Sequence, residues 1–142
     1  MFFVIMLIMD LEKVFKNIIL LDLALVVLIF VSVFIEPVEI TNISDNLDAG
    51  IFGDNESSLF LVIYLGLFIV YLINLILLYK FVSFGKPLYL ILFLIGIFLG
   101  LVSGPIIMTS FTSTLEWLGG VTVGAILVLL YFSPIKDKFI KQ

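Results

Sequence analysis

Four long apolar runs separated by polar segments organise this chain. Residues 17–35, 59–79, 87–108 and 115–132 are almost uncharged. As a helix, a run of about 20 residues rises ~30 Å, the thickness of a hydrocarbon core. Lipid cannot satisfy backbone polar groups, so each run is predicted to be an α-helix. The punctuation agrees. Pro37 stops the first run, because proline cannot continue the hydrogen-bond ladder. Ser57 and Ser58 precede the second run as N-caps. The short turn 81–86 makes spans two and three antiparallel neighbours, and Pro87 falls where a first helical residue tolerates proline. Gly104-Pro105 should loosen the end of the third run. Ser113 and Glu116 have capping-box spacing at the start of the fourth, which Ser133-Pro134 closes.

Charge sorts the connecting segments. Lys13, Lys16, Lys80, Lys86, Lys136, Lys138 and Lys141 would all face one side. Glu36, Glu39, Asp45, Asp48, Asp54, Glu56 and Glu116 would face the other, with no base among them. Under the positive-inside rule this predicts an all-α antiparallel bundle of four transmembrane helices with N and C termini cytoplasmic. Residues 1–142 then form one domain, with an acidic outer loop over 36–58 that is irregular or a short lid. Trp117, Tyr79, Tyr89 and Tyr131 fall near span ends, as in an aromatic belt. Residues 11–16 read as a helical turn at headgroup level. Residues 1–9 are apolar but lack a basic region and a small-residue cleavage site, which argues against a signal peptide. They extend the first helix along the interface, or they reflect start-codon choice, with Met6 and Met9 as alternative starts.

Composition narrows the chemistry. The chain is 63% hydrophobic and 13% charged, with a mean hydropathy of +1.38. It contains no cysteine, histidine or arginine. Disulfides, thiolate chemistry, the commonest general base, the commonest metal ligand and bidentate phosphate clamps are therefore unavailable. No catalytic residue, cofactor or metal is expected, and the bases are too scattered to bind nucleic acid.

Polar and small residues inside the spans are the candidates that remain. Apart from Glu116 at the outer edge of span four, Asp22 is the only acid within a span, and a carboxylate there costs ~2.5–3.5 kcal/mol on insertion scales unless paired, hydrated or protonated. Asn74 lies at a similar depth in span two, so the two are expected to pair as a structural clasp. The alternative is a proton or cation relay carried by Asp22. Ser32, Ser103, Thr109 and Thr122 are the other polar candidates in the outer halves. Gly96, Gly100 and Gly104 recur every four residues on span three, as do Gly120 and Gly124 on span four. Such stripes permit close helix contact in lipid. The expectation is tight packing of spans three and four within one chain, so that Gly100→Leu destabilises the protein; a homodimer face is the alternative. In the outer loop Asp45, Gly50 and Glu56 have EF-hand spacing, but Leu47 and Ala49 supply no side-chain oxygen, which favours a solvated loop. Asn42-Ile43-Ser44 and Asn55-Glu56-Ser57 match glycosylation sequons.

The run Gly85-Lys86-Pro87-Leu88-Tyr89-Leu90, with Gly104-Pro105, Gly124-Ala125-Ile126-Leu127, Tyr131-Phe132-Ser133-Pro134 and Lys138-Phe139, resembles small, uncharacterised four-span inner-membrane proteins of bacteria. The resemblance covers about residues 85–139, implies a multi-pass protein of the bacterial inner (plasma) membrane, and brings no activity. Asp22, Gly120 and Gly124 also echo the small multidrug transporters. Those carry Glu where this chain has Asp, and lack its long loop.

The expected function is a non-enzymatic integral membrane protein that binds another membrane component, as an accessory subunit or immunity-type protein. Its partners would be the lipid bilayer and a membrane protein or a second copy, with no nucleic acid. The alternative is a small proton-coupled transporter or channel using Asp22.

Overall fold

A computed structural model of the protein describes residues 2–35, 37–45, 57–102 and 107–139. Among the described residues five α-helices follow in chain order: α1 (Phe2–Phe34), α2 (Val38–Asp45), α3 (Ser57–Tyr79), α4 (Gly85–Val102) and α5 (Ser110–Phe132). A 3₁₀ turn, Pro134–Phe139, follows α5, and the described residues contain no strand. Four helices are long and apolar enough to cross a membrane, through Asp10–Ser32, Val62–Tyr79, Gly85–Val102 and Ser110–Phe132. The outer loop contributes α2, while its calcium-like spacing at Gly50 and Glu56 lies outside the described residues.

The helix ends follow local chemistry. Thr109 has an extended backbone, and its hydroxyl accepts the Thr112 N–H at 3.2 Å. That N-cap starts α5 at Ser110, so Ser113 and Glu116 sit inside the helix and do not cap it. α4 begins at Gly85, which makes Pro87 its third residue, still within the turn whose N–H groups have no helical partner. α4 ends at Val102, before Gly104-Pro105, which lies outside the described residues. α3 ends in a Schellman motif: the Val82 N–H donates to the Leu77 carbonyl at 2.9 Å, and the Phe81 N–H to that of Leu78 at 3.0 Å. Phe81 occupies the left-handed position of this motif, with φ 57°.

Neighbour relations differ from the glycine-based expectation. α1 packs mainly on α5, and α3 packs on α1 and α4. The inward stripe of α5 is Thr112, Leu115, Gly119, Thr122, Ile126 and Leu130, stepping by three and four residues. It faces Phe15, Ile19, Asp22 and Leu25 of α1, which are also buried. α4 and α5 meet near their lysine-bearing ends, where the Tyr131 hydroxyl donates to the Lys86 carbonyl at 3.2 Å and Lys86 Nζ sits 4.6 Å from the Tyr131 ring centroid. The stripes at Gly96, Gly100, Gly120 and Gly124 are open, since a Cβ at any of them would meet no atom within 4 Å. Gly104 lies outside the described residues. Close approach falls at two other glycines. A Cβ on Gly85 would lie 3.1 Å from Leu77 Cβ, and one on Gly119 would lie 3.4 Å from Ile29 Cδ1.

The packed core sits at one end. Phe15, Ile19, Leu75, Leu78, Tyr89, Ile126, Leu130, Ile135 and Phe139 form a single buried cluster. Towards the other end, Val62, Ile63, Leu65 and Ile69 of α3 and Phe93, Leu94, Ile97, Phe98 and Leu101 of α4 are exposed. All four helices converge where the lysines lie; at the α2 end α1 and α5 stay packed, with Ser32, Thr112 and Leu115 buried, while α3 and α4 expose apolar faces.

Candidate functional site

Asp22 is fully buried in the middle of α1. Its Oδ2 accepts the Tyr71 hydroxyl of α3 at 2.6 Å, and its Oδ1 lies 2.5 Å from the Thr122 hydroxyl of α5. The Thr122 oxygen is also 2.8 Å from the Gly119 carbonyl, so it stays tethered to its own helix. Tyr71 and Tyr89 bring their hydroxyls within 3.3 Å, which adds α4. One carboxylate therefore joins three helices directly and a fourth through a tyrosine. A buried carboxylate needs such partners, because no solvent is present to replace them.

The expected Asp22–Asn74 pair does not form. Asn74 is also fully buried, but its amide bridges the first turn of α4. Its NH₂ donates to the Gly85 carbonyl at 2.9 Å and its oxygen accepts the Tyr89 N–H at 3.1 Å. The reason is local. Gly85 has no side chain to hold α3 and α4 apart, so the α4 backbone comes within reach of the amide. Asn74 thus fixes Tyr89, and Tyr89 reaches Tyr71. Tyr89 is a core residue with 1% exposure, which removes it from the expected aromatic belt. Trp117, by contrast, is 77% exposed.

Sequence reasoning missed Tyr71 as a partner. The available signal was its spacing: Tyr71, Asn74, Leu75 and Leu78 lie at positions i, i+3, i+4 and i+7 of α3, one face of a helix. With apolar residues on the remaining faces as well, that stripe does not stand out.

Above this network an apolar cavity of about 780 Å³ opens between α1, α3 and α4. Phe30 and Phe34 line it from α1, Tyr64, Phe68 and Tyr71 from α3, and Gly96 and Gly100 from α4. The Phe30 and Phe68 rings are stacked at 5.0 Å. Tyr71 belongs to both features: it lines the cavity and holds Asp22.

The lysine-bearing end is an aromatic clasp. Phe81 stacks on Phe15 at 5.7 Å and meets Phe139 edge-on at 5.4 Å. Lys16 Nζ lies 5.3 Å from both the Tyr79 and the Phe81 ring centroids. Glu12 accepts from Lys16 at 2.9 Å and also pairs with Lys138, tying the final turn to α1. Among the described residues, no group of three His, Cys, Asp or Glu could hold a metal. Comparison with protein-family models, curated proteins and solved structures finds no match.

Proposed function

We propose that this chain is a non-enzymatic integral membrane protein of the bacterial inner membrane that acts by binding another membrane component, as an accessory subunit or immunity-type protein. Its four helices run antiparallel, with both termini cytoplasmic beside the lysine-bearing end. The observation that carries the reading is the asymmetry of the bundle. A packed core ties the helices together at the lysine-bearing end, while towards the other end the α3 and α4 faces are uncovered, and the glycine stripes of α4 and α5 meet no neighbour. Helices in lipid associate by close van der Waals contact, and open glycines are where a partner's backbone fits best.

The test is affinity purification in mild detergent with mass spectrometry, run on the parent and on Gly100→Leu and Gly120→Leu. A stoichiometric membrane protein that is lost from the folded variants supports the reading. A homo-oligomer with no other component overturns it. Because the chain lacks cysteine, Lys136→Cys can be labelled with an impermeant maleimide in intact spheroplasts; labelling from outside would refute the orientation.

One observation favours a second reading, a proton-coupled transporter: the continuous hydroxyl chain from Asp22 through Tyr71 to Tyr89. Transport by proteoliposomes that disappears in Asp22→Asn would establish it.

A further inference from the structure

We infer that the cavity between α1, α3 and α4 is a binding site for a neutral, ring-bearing lipophile that enters sideways from the bilayer. The inference rests on the membrane-spanning reading above but needs no protein partner.

Three features define the occupant. The cavity volume of about 780 Å³ lies in the small-molecule range of roughly 300–1,000 Å³. Among the described residues no charged side chain lines the cavity, so a charged ligand would lose its solvation without gaining a counter-charge there. The lining also includes five aromatic side chains, Phe30, Phe34, Tyr64, Phe68 and Tyr71.

The aromatic lining separates a specific ligand from the surrounding lipid. Acyl chains are present at very high concentration and are as apolar as leucine, so apolarity alone cannot make anything displace them. A competitor needs an interaction that a saturated chain lacks. Stacked and edge-on ring contacts supply one, and the existing Phe30–Phe68 stack at 5.0 Å shows the spacing that a further ring would continue. On the α4 wall Gly96 and Gly100 alternate with Leu92, Ile95 and Leu99, and at the two glycines a flat ring can lie against the backbone. Tyr71 connects occupancy to the interior, because the same residue holds Asp22 at 2.6 Å.

The test is photolabelling of the full-length protein in phosphatidylcholine nanodiscs with 1-azidoanthracene, a neutral three-ring probe, followed by peptide mapping. A phosphatidylcholine carrying an acyl-chain diazirine is run in parallel. Adducts of the ring probe should concentrate on Tyr64, Phe68 and the α4 segment from Leu92 to Gly100. Excess unlabelled 1-aminoanthracene should reduce them by about fivefold. Gly96→Leu should reduce them similarly while leaving thermal stability unchanged, since its Cβ meets nothing. Phe68→Ala, which keeps the cavity open but removes a ring, provides the second variant. Ring-probe adducts spread evenly over exposed positions such as Ile91 and Val121 would overturn the inference. So would equal labelling of the cavity by the acyl probe, or a cavity shielded from both probes by a second copy in native mass spectra. A co-purifying protein partner with no cavity labelling would sink this site and leave the proposed function standing.

Discussion

At the scale of single residues, Asp22 and Phe81 hold unfavourable states that their neighbours offset. Asp22 gives up solvent and receives the Tyr71 and Thr122 hydroxyls. Thr122→Val removes one donor at nearly constant volume and should lower the unfolding free energy by about 0.6–1.7 kcal/mol, the range for hydrogen bonds between helices in membranes. Asp22→Leu removes both bonds from α1, leaving Thr122 the Gly119 carbonyl and Tyr71 the Tyr89 hydroxyl, and should cost more than Thr122→Val, which removes one. Denaturant titration in bicelles measures both, and a silent Thr122→Val would mean that the network does not clamp the helices. Phe81 has a left-handed backbone that costs a non-glycine residue roughly 1–2 kcal/mol. Its ring contacts with Phe15 and Phe139 contribute about 0.5–1.5 kcal/mol each, and Lys16 and Lys138 lie over the same ring. The contacts outweigh the strain, so Phe81→Gly should lower the melting temperature even though glycine suits the turn. A rise would show the reverse balance.

At the scale of helices, contact is decided by which glycines face a neighbour. Gly85→Ala would push a methyl to 3.1 Å from Leu77 Cβ and disturb the Asn74 bridge beside it, at a cost of about 1–3 kcal/mol. Gly100→Leu should leave the melting temperature in detergent unchanged, because its Cβ points into open space. The structure thus reverses the sequence-based expectation for Gly100. Comparing the two variants in one thermal assay decides the matter: a Gly100→Leu loss as large as that of Gly85→Ala would require a contact on the open face of α4. The four-residue glycine spacing was legible in the sequence, but the neighbour was not. Spacing identifies a helix face; it does not say that α5 lies against α1 and α4 against α3. Asn74 shows the same limit, since its depth matched that of Asp22 while its partners are the α4 backbone.

At the scale of the whole molecule, the core that ties all four long helices lies at the lysine-bearing end. The 3₁₀ turn returns Phe139 and Ile135 into the core, where both are almost fully buried. Phe139→Ala should therefore cost about 3 kcal/mol, in the range for truncating a buried phenylalanine. Glu12→Gln, which breaks ion pairs whose side chains are 26–37% exposed, should cost no more than about 1 kcal/mol. Equal losses would mean that the charges, and not the rings, hold the tail. Salt separates the two as well, since screening weakens the exposed pairs and leaves the ring cluster intact.

The sequence by itself determined the number of membrane-length helices, their approximate extent and the absence of lysines from the acidic outer segments. It could do so because length, hydropathy and charge act one segment at a time, and lipid demands that each segment satisfy its own backbone. Only the tertiary structure decided which face of each helix turns inward. A helix that is apolar all round carries no amphipathic stripe to mark its buried side. Thr122 and Tyr71 became partners of Asp22, Gly85 and Gly119 became the close contacts, and the open end with its cavity appeared, once those faces had been chosen by packing.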